Sequence, residues 1–184
     1  MQILDDKNRT ILSVGMTPSE QQVVHSAPDL VLGDVYVRQN DLIAMFPESA
    51  PWRFGYQIDM RVLDDSPVGT LSVEIWLSVQ TSLLDSHPQL ELHLAGERFD
   101  SAADRYWTSK SLRIGLLVHP LDQSDCHLEQ RGDELTMRVF GRFMEKGVIR
   151  RMRFRLIVAN RSQTAEFWQN RFDEFSKSPL PLTT

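Results

Sequence analysis

The sequence predicts an all-β protein, an antiparallel sandwich or partly closed barrel, with one C-terminal amphipathic α-helix. Three observations carry that expectation. Apolar residues recur at every second position through several segments after residue 30. Turn chemistry separates those segments. After Asn160 the apolar period changes from two to that of a helix.

The clearest strand is residues 70–80. Leu71, Val73, Ile75, Leu77 and Val79 alternate with Ser72, Glu74, Trp76, Ser78 and Gln80. Successive side chains of a strand point to opposite faces, so this pattern specifies one buried face and one wet face. Leu90, Leu92 and Leu94 repeat it, with Glu91 and His93 on the other side. "LVLGDVYVR" and "LIAMF" flank a "QND" turn, and "FGYQIDMRVL" is joined to residues 70–80 by "DDSPVG". "LRIGLLVHP" is more continuously apolar, as expected of a strand near the middle of the structure. "CHLEQ" and "ELTMRVFGRFM" flank "RGD", where Gly-Asp is ordinary turn chemistry. About eight or nine strands are expected from this spacing.

The chain reads as one domain: an N-terminal segment over 1–29, the β core over 30–159, the helix over 160–177 and a tail over 178–184. At 184 residues it is long enough to bury a core without covalent staples. In the N-terminal segment "NRTILSVGM" suits a short strand. Thr17, Pro18 and Glu20 then form a helix-start signal, predicting a short helix that Pro28 ends. In the C-terminal helix Ala165, Trp168, Phe172 and Phe175 fall on one stripe. Asn160 with Gln163, or Ser162, can cap it, and Pro179 and Pro181 end it. Such a stripe is expected to plug or cover the sheet structure.

The last β segment raises the sharpest question. If Lys146-Gly147 closes a two-residue hairpin, Met137 faces Leu156 and Val139 faces Phe154. Arg138 then meets Arg155, and Arg142 meets Arg151. Like charges directly opposite repel, so this register needs an offset. Glu129, Asp59 or Glu74 on neighbouring strands could supply it, as could an edge position or a bound anion. The candidate basic face is Arg138, Arg142, Arg151, Arg153 and Arg155.

Aromatic residues supply the other candidate binding positions. Trp76 falls on the polar side of its strand, and is expected to be exposed or covered by another element. Trp52 and Tyr56 lie in "SAPWRFGY", and Trp107 lies in an irregular segment, "FDSAADRYWTSK". A polar loop holds His119, Asp122, Asp125, Cys126 and His127, but matches no metal-site spacing. Cys126 and His127 are adjacent, so in a strand they point apart and make no catalytic dyad. No phosphate loop, nucleophile elbow or dinucleotide fingerprint is present, so no catalytic residue, cofactor or metal is assigned.

A net charge of -5 argues against global attraction to nucleic acid, so any anion site must be local. One cysteine excludes an internal disulfide framework. With no signal-like N-terminus and no apolar run of spanning length, a soluble, cytoplasmic location is expected. The functional expectation is a non-enzymatic binding or assembly module that presents a basic sheet face and exposed aromatics to a protein partner, or to copies of itself. The alternatives are a small-ligand-binding barrel, either a binding protein or an enzyme, and anion or nucleic-acid binding through the arginine-rich hairpin.

Overall fold

The structure is a computed structural model that describes residues 2–4, 10–19, 32–48, 53–64, 66–95, 98–102 and 105–179. The strands are β1 (Gln2–Leu4), β2 (Thr10–Ser19), β3 (Asp34–Arg38), β4 (Asp41–Phe46), β5 (Phe54–Val62), β6 (Thr70–Thr81) and β7 (Gln89–Ala95). They continue as β8 (Phe99–Ala102), β9 (Tyr106–Ser109), β10 (Ile114–Val118), β11 (Cys126–Arg131), β12 (Glu134–Phe140) and β13 (Ile149–Ala159). Helix α1 (Ala165–Lys177) follows.

Two antiparallel sheets face each other and neither closes into a barrel. The larger has the order β3-β4-β5-β6-β13-β10-β9-β8, and the smaller β1-β2-β7-β12-β11. The alternation read from the sequence sets the faces. Ile75, Leu77 and Val79 of β6 point inward with Met152, Phe154 and Leu156 of β13. They meet Leu90, Leu92 and Leu94 of β7 and Leu135, Met137 and Val139 of β12. Burying each such side chain contributes on the order of 1.5–3 kcal/mol, which makes this contact the main support of the fold.

Helix α1 lies on the opposite, outer face of the large sheet. Trp168, Phe172 and Phe175 are buried there against Tyr106, Leu117 and Ile157. Gly115 of β10 lets the helix come close. A Cβ at that position would lie 2.7 Å from Trp168 Cε3 and 3.0 Å from Cη2, with Cζ3 nearer still. β10 is thus covered on both faces, and all five of its residues are buried. The cap is Thr164, whose side chain accepts from the Phe167 N–H. Asn160 and Ser162, expected as caps, serve elsewhere: the Ser162 hydroxyl donates to the Ser111 carbonyl. Ala165 of the expected stripe is exposed.

Three other expectations are corrected. The helix start at Thr17 is not one, because Thr17 and Pro18 belong to β2 and pair with Glu91 and Leu90. β1 pairs only with the first half of β2, so Pro18 sits where a missing N–H breaks no ladder on that side. The rest of that expected helix lies outside the described residues. "FDSAADRYWTSK" holds two short strands, β8 and β9, rather than an irregular segment.

The third correction is the last hairpin. β12 and β13 belong to different sheets, so the expected register does not form. Lys146-Gly147 is a turn, with Gly147 at φ +81°. It sits inside a connection that crosses between sheets and is held by Ser86 and Met144, which exchange backbone bonds. Phe140 and Gly141 at positive φ turn the chain out of β12. Met137 and Val139 still meet the side of the core that holds Phe154 and Leu156, across the sandwich rather than along a ladder.

Candidate functional site

The outer face of the large sheet carries most of the polar residues singled out above. Across five strands one row reads Arg38, Asp41, Arg61, Glu74, Arg155, each directly opposite the next. The charge alternates at every step. Arg61 donates to both Asp41 oxygens at 2.5 and 2.8 Å, and Arg155 lies 2.8 Å from Glu74. Asp41 is held below the usual carboxylate range mainly by its hydrogen bond from Arg61. Arg38 ends the row 3.8 Å from Asp41. Glu74 is thus the offset that the sequence proposed for the arginines, and the Arg138–Arg155 pair does not exist.

The expected basic face is therefore divided. Arg138 belongs to the smaller sheet, where it lies 2.7 Å from Glu91 and 3.5 Å from Glu129. Arg142 pairs with Asp125 and donates to the Ser124 carbonyl. Arg153 is only 1% exposed, under the end of α1. Its guanidinium donates to the Ser178 hydroxyl at 3.0 Å, the Pro179 carbonyl at 3.1 Å and the Ser178 carbonyl at 3.3 Å. It lies 5.1 Å from the ring centres of both Trp76 and Phe175, and 3.9 Å from Glu74. A cation placed at the carbonyl end of a helix is electrostatically favoured. Arg153 and Arg155 anchor the helix rather than face solvent.

Trp76 is accordingly half-covered by Arg153, and its indole N–H donates to Glu74. Beside this cluster His119 stacks edge-on against Phe175. Its Nδ1 accepts from the Leu121 N–H, which leaves the neutral ring's proton on Nε2. Burial, then the Arg153 charge, lowers its pKa, while the Ser176 backbone and Glu74 pull the other way. Burial pushes the Asp122 carboxyl upward, although the Arg153 backbone N–H donates to it.

Beyond the edge of α1 the same face holds an open groove of about 440 Å³. Its floor crosses β4, β5, β6 and β13, and includes Gln57, Ser78, Gln80 and Gly55, with Met45 and Ile149 at its sides. Arg151 lies at this groove and has no ion pair among the described residues. Tyr56 contributes to the wall but is buried, its hydroxyl donating to the Gln89 carbonyl. Trp52 lies outside the described residues.

Trp107 is half-buried and lines a second cleft with Val118, Ser124, Cys126 and Leu128. Cys126 faces inward against the core and His127 is exposed, as their adjacency required. Burial pushes the Cys126 thiol up to about 12, which makes it a poor nucleophile. Among the described residues no group of three or more metal-ligating side chains comes together.

The feature that sequence reasoning missed is that, among the described residues, β3 has no strand on its outer side. All five residues of β3 are exposed, including Val35 at 46%, Tyr36 at 42% and Val37 at 71%. Val35 and Val37 share the inward face with Leu42, Val62 and Leu71, which are also exposed. Here the large sheet has apolar side chains on its core face without full cover. Their alternation was legible; that they fall at an edge was not.

These two open, facing sheets define a β-sandwich with a helix on one outer face. No family model matches the chain, and no curated protein matches it. Among solved structures the fold is similar to that of "Putative kojibiose phosphorylase from human microbiome", at a TM-score of 0.57 and 15% identity. The match covers 93% of this chain and 26% of that one. At that identity the likeness shows the fold alone. Among the described residues no helix is long and apolar enough to cross a membrane.

Proposed function

We propose that the chain is a non-enzymatic assembly module that joins a protein partner through the β3–β4 flank of its large sheet. The observation that carries this reading is the exposure of every residue of β3, with three large apolar side chains in five residues. An edge strand offers a row of unpaired backbone donors and acceptors, and proteins normally blunt such edges. Here charges stand only at the two ends, Asp34 and Arg38. Addition of a partner's strand to a free edge is an established mode of recognition.

The test is a photo-crosslinking amino acid placed at Val37 in the full chain, expressed in its own cells. Illumination is expected to give a discrete covalent product with another polypeptide chain. No product from Val37 or from Val35 would remove the proposal.

A second reading is a small polar ligand in the groove, favoured by the guanidinium of Arg151, which has no ion pair among the described residues. It is what remains of the arginine-face expectation once Arg138, Arg142, Arg153 and Arg155 have found their partners. Calorimetric titration with citrate and with a neutral disaccharide distinguishes anion from sugar recognition. Heat from neither would exclude this reading.

A further inference from the structure

We infer that the partner is a second copy of this chain, joined antiparallel through β3 about a two-fold axis at Tyr36; this rests on the assembly reading above and names its partner. The argument begins with β3 itself, Asp34-Val35-Tyr36-Val37-Arg38. The strand is nearly a palindrome, with opposite charges at its ends. Reversed against itself about Tyr36, it places Asp34 opposite Arg38 of the second copy, Val35 opposite Val37, and Tyr36 opposite Tyr36. A surface that matches itself under a two-fold rotation is what a closed dimer requires.

The backbone agrees with this register. Arg38 and Asp41 close a two-residue loop, in which Gln39 takes φ +55°. The residues flanking such a loop exchange both backbone bonds, so Arg38, Tyr36 and Asp34 turn their N–H and C=O groups toward β4. Val35 and Val37 therefore turn theirs to the open edge. Those are the two residues that would exchange backbone bonds with the second copy. Tyr36 and the Asp34–Arg38 pairs fall at the closer, non-hydrogen-bonded positions, where side chains approach best.

The charge row bears on the same Asp34–Arg38 pairing. Arg155, Glu74, Arg61, Asp41 and Arg38 alternate in sign across five strands and stop with an arginine at the edge. The next residue across, in the proposed register, is Asp34 of the second copy. The alternation gains one more member before it reaches Met45 of the second copy. Sliding the copies by two residues in either direction loses both acid–arginine pairs.

The test uses sedimentation of the full chain over a concentration series, with Asp34→Arg and Arg38→Asp. Both side chains are exposed, and Asp41 keeps its Arg61 bonds, so the fold is expected to persist by circular dichroism. Wild type is expected to dimerise. Each variant sets like charges against each other twice, and dimerisation should weaken by roughly tenfold or more. An equimolar mixture of the two variants sets acids against arginines again and should regain association. As a second measurement, Tyr36→Cys should oxidise to a covalent dimer, because its two copies meet across the axis within disulfide reach. A wild type that stays monomeric overturns this inference, while a Val37 crosslink to a different protein would leave the assembly reading in place. Dimers indifferent to both charge reversals, with no disulfide at position 36, also overturn it.

Discussion

The contact between Gly115 and Trp168 offers a direct measure of what holds α1 to the sheet. A Cβ at position 115 would lie 2.7 Å from Trp168 Cε3, whereas carbon atoms rest about 3.5–4.0 Å apart. The ring cannot turn aside easily, because Trp168 is buried against Tyr106, Leu117 and Ile157. Gly115→Ala must therefore push the helix away, and overpacking of this kind costs about 1–3 kcal/mol. Trp168→Ala leaves a cavity and costs about 3–5 kcal/mol. Once the ring is gone the added methyl has room. Glycine inside a strand is roughly 0.5–1 kcal/mol worse than alanine, so Gly115→Ala should then become stabilising. The two changes are expected to couple by about 2–3 kcal/mol, with a change of sign. Urea unfolding of the four proteins of this cycle, followed by circular dichroism, gives the number. Additivity within about 0.5 kcal/mol would refute the argument that the ring occupies the space above Gly115.

Three further outcomes follow from the same face and its neighbours. Arg153→Met removes the bonds to Ser178 and Pro179, and should lower stability by about 1.5–3 kcal/mol while speeding hydrogen exchange in the last turn of α1; an unchanged urea midpoint would show that water serves those carbonyls equally well. His119 has a lowered pKa in the folded state, so the unfolded chain binds its proton more readily. Its contribution is present above the ordinary histidine value of about 6.5 and is lost as pH falls toward the folded value. His119→Gln should therefore flatten the fall in urea midpoint below neutral pH, and an identical slope in both proteins would remove His119 as its source. Finally, a Cys126 thiol near 12 should react with iodoacetamide at pH 8 about a thousandfold more slowly than a free cysteine. Mass spectrometry of the native protein checks this, and labelling at the rate of glutathione would contradict it.

Period-two patterning reported which residues face inward, and Ile75, Leu77, Val79, Leu90, Leu92 and Leu94 are buried as it expected, while Leu71 of the same row is 41% exposed. It was blind to what stands opposite. Val139 and Phe154 match equally well as cross-strand neighbours or as facing residues of two sheets, because both arrangements bury the same alternate positions. The hairpin expected at Lys146-Gly147 chose the first and the molecule uses the second. The same ambiguity misplaced the arginines. Their alternation with apolar residues was correct, but which acid each one meets depends on strand order, and strand order is not local information.

The candidate site divides in the same way. Trp76 and Trp107 were legible as aromatics in unusual settings. That Arg153 would seat beneath Phe175, or that β3 would end its sheet with Val37 uncovered, had no local signal. Read backwards, the near-palindrome "DVYVR" was visible all along; it gains meaning only at an edge.

By itself, then, the sequence determined the all-β class, the inward face of the alternating strands, the tight turns at "QND" and "RGD", and the aromatic stripe that seats α1. These depend on chemistry within a few residues: side-chain alternation, turn preference and helical period. Only the tertiary structure decided that the sheets stay open, which strands are neighbours, that the arginines divide between two sheets, and that the charge row stops at Arg38. Those outcomes come from pairings between residues far apart in the chain, where many arrangements bury the same side chains and packing of the whole selects one.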